Sequence, residues 1–289
     1  MIVFFYSIGF NIYFKNFRKN SIIKENIFKD YFPVVFNRYW YFTSYFGMYL
    51  YLPIINKGIM YLSKSELKLV VFSILGILVF WRKYIDQKDD IFHMAGGFSL
   101  LWLLTLYITG VYIGKYNIVY TGVKRIIFSF IYLFSFISIT LLYYKIYDNS
   151  LNNINGYYKR KILLKLKQIL TDGYDSILKI TQSISITLFF LQINYNKYIS
   201  KVISFLGPLT FGVYLIHSNH IVCDNIFNKI FYNTPYVNNL YSAMKIFIMI
   251  DLKVLIICMI IDYIRHVIFT IFRIKKICIF VEKIIFKIF

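Results

Sequence analysis

Apolar residues run along this chain in long blocks broken by short polar clusters, at about 1–15, 39–62, 67–81, 98–116, 124–147, 177–195, 202–223 and 239–264. Most blocks reach or approach the roughly 20 residues that a helix needs to cross about 30 Å of hydrocarbon. A transmembrane β-barrel would show alternating segments of about ten residues instead, and these are absent. The pattern predicts an all-α fold, a polytopic transmembrane helix bundle of about eight helices. The blocks at 67–81 and 177–195 are the weakest. In the second, Gln182, Ser183, Ser185, Gln192 and Asn194 interrupt the apolar run, so its polar face must look into the bundle or a cavity. The first block, from Met1, lacks a basic start and a small-residue cleavage site and reads as a retained span.

The clearest break lies between 148 and 179 and opens with the low-complexity run Asn149–Gly156. Within it, Ile162, Leu163, Leu166, Ile169 and Leu170 recur at helical spacing, with Lys159, Arg160, Lys165 and Lys167 on other faces. The segment at 157–170 is expected to be a basic amphipathic helix on the membrane surface, which is compatible with a plain connector between spans. Residues 265–289, with Arg273, Lys275, Lys276, Lys283 and Lys287, read as a basic interfacial tail. The whole chain, 1–289, reads as one membrane-embedded domain that includes these segments, with no internal repeat and no soluble domain.

Composition agrees. Hydrophobic residues make up 59% and charged residues 16%, with mean hydropathy +0.61, more apolar surface than a soluble domain of this length buries. The net charge of +20 would suggest nucleic acid in a soluble protein. Here the cations stand between and after the apolar blocks, where they meet lipid headgroups or set orientation, so membrane lipid is the expected partner and nucleic acid is not. The basic loops fall on both sides of the predicted spans, which leaves orientation open. Cys223, Cys258 and Cys278 stand far apart, show no metal-ligand spacing and read as packing residues.

Three segments carry candidate chemistry. In Phe205–His217 an apolar span ends in an imidazole, and a histidine in a membrane segment is a functional-site candidate by default. On a continuous helix Tyr214, His217, Ile221 and Asp224 would share a face, and His220 and Asp224 would stand at i, i+4, so a carboxylate could orient an imidazole as a general base. Alternatively, both rings simply sit at headgroup level. Asn37–Tyr45, with Arg38, Trp40 and Tyr45, continues to Pro53 and Asn56. It is an aromatic belt at a helix start, or a surface offering charge to phosphate and planes to sugar or adenine. The third runs from Gly96-Gly97 through Trp102 and Tyr107 to Gly110 and Gly114, whose small-xxx-small spacing permits close helix packing. His93 is expected to be solvated. Asp262 and Arg265, three apart, can pair where the last span ends.

Read in order, these elements resemble the acyltransferase-3 family of integral-membrane O-acyltransferases. The Tyr39-Trp-Tyr-Phe-Thr-Ser-Tyr45 entry with its Pro53-x-x-Asn56 exit, the Gly97-x-Ser99-x-x-Trp102-x-x-x-x-Tyr107-x-x-Gly110 pattern, the late Tyr214-Leu-Ile-His217 element and the closing Asp262-x-x-Arg265 all match, and Phe5-Tyr6-Ser7 looks like the preceding helix. The resemblance implies transfer of an acyl group, usually acetyl, from acyl-CoA to a hydroxyl of a cell-surface polysaccharide or lipid-linked sugar, in a bacterial plasma membrane. Acetyl-CoA or another acyl-CoA would be the donor substrate, with no bound cofactor. His217, Tyr214, His220 and Asp224 would be pocket residues, and Arg38, Trp40, Tyr45, Trp102 and Tyr107 would touch substrate.

The family's principal catalytic histidine lies in an earlier helix, preceded by a basic residue and followed by an arginine cluster. None of His93, His217, His220 and His266 fits that place, so the catalytic residues stay unassigned. The expectation is that the chain starts after the catalytic helix, with an upstream start, an inactive truncated gene and a partner subunit as the three explanations. A competing class is a transporter or flippase of polyisoprenoid-linked sugars, which would use the same aromatic and basic surfaces without a base.

Overall fold

A computed structural model describes residues 3, 6, 9–10, 32–36, 38–81, 90, 92–116, 123–152, 157–219, 222–227, 240–277 and 279–280. His220, Cys278, the side chain of Asp224 and most of the basic stretch Arg18–Arg38 lie outside this set. Among the described residues the structure is helical, without a strand, and the chain divides into two compact units, residues 40–194 and residues 1–39 with 195–289.

In the unit formed by 40–194, α1 (Trp40–Tyr61) leads to α2 (Lys64–Leu75), which widens into a π-helical turn at Gly76–Trp81. Ser63 starts α2 with a capping box. Its hydroxyl accepts from the Glu66 backbone N–H at 3.3 Å, and the Glu66 carboxylate accepts from the Ser63 backbone N–H at 2.8 Å and its hydroxyl at 2.7 Å. Two donors that the first helical turn cannot satisfy are thereby paired. These bonds, the hydroxyl first, hold the exposed Glu66 carboxyl below its ordinary pKa. A second cap, Ser99, accepts from the Trp102 N–H at 3.2 Å and starts α3 (Leu100–Lys115), which packs on α1 and α2. The open end of α1 is finished from α3. The Lys115 ammonium donates to the carbonyls of Ile59 at 2.9 Å and Leu62 at 3.2 Å, and the Tyr116 hydroxyl also donates to Leu62 at 3.2 Å. Leu78, Val79, Met94, Trp102 and Ile180 form the core of this unit.

Next come α4 (Val123–Asn152), α5 (Tyr157–Leu170) and α6 (Ile177–Phe190), with α6 packed along α4. The expected break at 148 is displaced, because α4 runs on through Asn152 into the Asn-rich run. The weak helix propensity of Asn and Ser does not stop a helix whose backbone bonds continue. The expectation that the polar side chains of 177–195 must face the bundle holds for Ser185, which is buried, and not for Ser183, which is exposed. The Thr181, Ser183 and Thr187 hydroxyls and the Gln192 amide each donate to the carbonyl four residues earlier, at 2.6–2.8 Å. Ser183 and Thr187 are exposed, so the helix itself satisfies groups that face outward. Gly110 and Gly114 pack against nothing: a Cβ at either position would meet open space. A close helix approach in this unit is at Gly47, where a Cβ would come within 2.6 Å of Leu100 Cδ1, and the loop glycines Gly97 and Gly173 are as closely packed.

In the other unit, Val3, Tyr6, Gly9 and Phe10 are helical. The Asn196 side chain accepts from the Ile199 N–H at 2.8 Å and starts α7 (Lys197–His217), which packs on α8 (Leu240–Ile271). Among the described residues, three stretches are long and apolar enough to cross a bilayer: Arg125–Tyr143 in α4, Lys197–His217 and Ile248–Ile271. The 16-residue α3 and the 14-residue α6 are apolar but shorter. The last helix continues to Ile271, seven residues past the expected boundary, so Arg265 belongs to the span and not to the tail.

Candidate functional site

The polar groups of the second unit gather at two places. At the first, the Asp262 carboxylate is fully buried and receives three bonds: Tyr6 hydroxyl at 2.6 Å, Arg265 Nε at 2.7 Å and a second guanidinium nitrogen at 2.9 Å. Arg265 also stacks its guanidinium 5.1 Å from the Phe269 ring. A buried carboxylate is tolerable only when paired and bonded in this way. The sequence places this pair at a helix end. The structure puts it inside the span, against Gly212 of α7, where a Cβ would fall on the carboxylate itself. Glycine is what lets α7 and α8 approach this closely.

At the second place, α7 ends. The expected helical face through Tyr214, His217, Ile221 and Asp224 does not form, because the helix stops at His217 and Ser218 closes it with an N–H bond to the Tyr214 carbonyl at 3.0 Å. The buried Asn219 redirects the chain. Its amide donates to the Tyr39 hydroxyl at 2.8 Å and its Oδ1 accepts from the Val222 N–H at 3.4 Å, starting a short turn that includes the π-helical Cys223–Phe227. A side-chain amide that competes with the helix for backbone bonds favours such a stop. Tyr39 packs edge-on to Tyr214, and Tyr214 to His217, with ring centroids 6.3 and 6.2 Å apart. His217 is exposed and its Nδ1 lies 2.7 Å from the Val213 carbonyl. A carbonyl only accepts, so Nδ1 carries a proton, and Nε2 lies 3.4 Å from the Ser218 hydroxyl.

Of the expected substrate residues, Trp40, Tyr45, Trp102 and Tyr107 lie in the unit of 40–194, where they separate, and Arg38 belongs to the other unit. Trp40 begins α1 and joins an aromatic cluster with Phe98 and Tyr174, at centroid distances of 4.5 and 5.6 Å, with Phe98 and Tyr174 5.0 Å apart. Gly97, at φ +90°, and Gly96, whose carbonyl accepts from the Tyr174 N–H at 2.7 Å, bring the two loops together. A Cβ at Gly97 would come within 2.7 Å of Tyr174 Cβ. Tyr45 is exposed and stacks on Tyr41 at 6.2 Å. Trp102 is enclosed in the core, and Tyr107 donates to Asn56 Oδ1 at 2.6 Å, tying α3 to α1. Arg38, half-buried, donates its backbone N–H to the Pro33 carbonyl at 2.8 Å. His93 is exposed, at φ +47°.

A family model described as an acyltransferase domain, acyltransferase 3, matches residues 1–263. The chain belongs to the acyltransferase-3 family. No curated protein and no solved structure matches it. With its long apolar helices, this acyltransferase-3 chain is a membrane protein carrying the family's acyltransferase domain. The match ends one residue beyond Asp262, so it takes in Tyr6, Tyr39, Gly212, His217, Asn219 and Asp262 and stops short of Arg265.

Sequence reading passed over Tyr39, Asn219, Gly212 and Tyr174 as site residues. The available signals were an Asn immediately after a Ser that follows an apolar span, and a Gly four residues after a helix-internal Pro208. Neither names its partner, which lies far away in sequence.

Proposed function

We propose that this protein transfers an acyl group, acetyl as the reference case, from acyl-CoA to a hydroxyl of a cell-surface polysaccharide or lipid-linked sugar in a bacterial plasma membrane. One observation carries the reading: the acyltransferase domain matched over residues 1–263. An alcohol attacks a thioester slowly until a base removes its proton. The Tyr214–His217 pair suits the acceptor hydroxyl, because Nδ1 is taken by the Val213 carbonyl, Nε2 is left to exchange a proton, and a helix C-terminus favours the cation that a base becomes. Trp40 and Tyr45 offer aromatic planes to sugar or adenine, and Arg38 offers charge to phosphate.

The test is thermal unfolding of the full chain in lipid nanodiscs with acetyl-CoA against CoA, followed by assay of alkali-labile acetate on the surface polysaccharide of cells with and without the gene. Acetyl-CoA at one hundred times its dissociation constant should stabilise the fold by about 2.7 kcal/mol, and deletion of the gene should remove polysaccharide acetate. No stabilisation and unchanged acetate would overturn the reading and leave transport of sugar-linked lipids as the working class.

A further inference from the structure

The helix α5 carries an apolar stripe that the protein covers only in part. Ile162, Leu166 and Ile169 stand at i, i+4 and i+7 and so share a face. Ile169 is 7% exposed, whereas Ile162 is 61% and Leu166 40% exposed. The helix is therefore moored by its last turn and leaves the rest of the stripe bare. The mooring is well defined. The Lys167 ammonium lies 5.2 Å from the Tyr143 ring of α4, and α5 closes its own end there, the Lys167 carbonyl accepting from the Thr171 hydroxyl at 3.0 Å and from the N–H groups of Thr171 and Asp172 at 2.9 and 3.0 Å.

The charge on this helix has one sign. Residues 157–170 hold Lys159, Arg160, Lys161, Lys165 and Lys167 and no Asp or Glu. Directly after it, Tyr174 joins Trp40 and Phe98 in the aromatic cluster, with Phe98 44% and Tyr174 50% exposed. Exposed aromatic rings at the start of a helix in a spanning protein mark headgroup depth. A bare apolar stripe, flanking cations and an adjacent aromatic cluster together fit one surface: apolar acyl chains beneath a layer of negative phosphates.

We infer that α5 is a docking helix for anionic phospholipid headgroups, holding Ile162 and Leu166 in the acyl boundary and its cations against phosphate. The occupant is the membrane carrying the protein, not a second copy and not a soluble polyanion. Charge complementarity carries that choice, since a second copy would bring the same run of cations, with no Asp or Glu in residues 157–170, against its like. The site is independent of the acyl-transfer reading.

The experiment is amide hydrogen exchange on the full chain in nanodiscs of phosphatidylcholine alone and of phosphatidylcholine with phosphatidylglycerol. Residues 157–170 should exchange at least about fivefold more slowly with the anionic lipid, the effect of a single cation near such a surface, while α7 and α8 stay unchanged. Raising ionic strength to about 1 M should erase most of the difference. The variant K159Q/R160Q/K161Q/K165Q, which keeps the Lys167 mooring, should lose the lipid dependence. Equal exchange in the two lipids would overturn the inference in the unaltered protein, whatever the variant does. Two other results would overturn it equally: protection that follows protein-to-lipid ratio, which means a second copy, or protection by inorganic polyphosphate in phosphatidylcholine discs, which means a soluble ligand.

Discussion

The Asp262 carboxylate fills the space that a side chain at Gly212 would need. Tyr6 and Arg265 grip both carboxylate oxygens, so Asp262 cannot step aside without breaking its own bonds. Gly212→Ala should destabilise the protein by about 1–3 kcal/mol, the usual cost of forcing a methyl into a packed site. Thermal unfolding in detergent reads it. An unchanged midpoint would mean that α7 and α8 separate freely.

The two partners of Asp262 are unequal. Tyr6→Phe removes one bond to a charged group and should cost about 1.5–3 kcal/mol. Asp262→Asn leaves the Arg265 guanidinium buried without a counter-charge and should cost about 3–5 kcal/mol. The order of the two unfolding midpoints checks this, and a Tyr6→Phe effect at least as large as that of Asp262→Asn contradicts it.

At Gly97 the backbone is left-handed, at φ +90°, and the loop touches Tyr174. Gly97→Ala adds conformational strain to a collision 2.7 Å from Tyr174 Cβ. The loops should part and Trp40 should lose its two aromatic neighbours. Tryptophan fluorescence should shift toward the red as the indole hydrates, and a spectrum identical to the unaltered protein would show that the loops yield without separating.

The capping box gives a pH dependence of known sign. Glu66 titrates below its ordinary value when folded, so its contribution is fully present above the unfolded carboxylate pKa and is lost as pH falls through the lower folded value. Between neutral and mildly acidic pH, Ser63→Ala should therefore lower stability by a constant, small amount. Under more acidic conditions the difference between variant and unaltered protein should shrink. Unfolding midpoints taken as a pH series test it, and a difference that widens on acidification would reverse the assignment.

His217 is exposed and makes no contact that holds the helices together beyond its own turn. His217→Ala should insert and fold normally while lowering acyl transfer, in an assay that counts acetylated acceptor per folded protein. Unchanged turnover would reduce His217 to an interfacial ring. Asn219→Ala, by contrast, should disturb folding, because it removes the buried bond to the Tyr39 hydroxyl and the bond to the Val222 N–H.

The apolar blocks located the helices to within a few residues because length and hydropathy are local properties of the chain. Ends were less legible. Asn219 stops α7 by bonding Tyr39, 180 positions earlier, and no local pattern announces such a partner. Glycine roles were misplaced for the same reason: Gly110 and Gly114 have the packing spacing but open space around them, and Gly212, with no repeat spacing, carries the contact. Trp102 illustrates a third limit. Its motif suggested a ligand surface, and its burial beside Leu78, Val79, Met94 and Ile180 depends on elements far along the sequence.

The dependence of α1 on Lys115 bears on how the protein is made. A polypeptide enters the membrane in order of synthesis, and the carbonyls of Ile59 and Leu62 take their cation from a residue more than 50 positions downstream. Until α3 has left the ribosome, the Leu62 carbonyl at the end of α1 waits for the donors that Lys115 and Tyr116 bring.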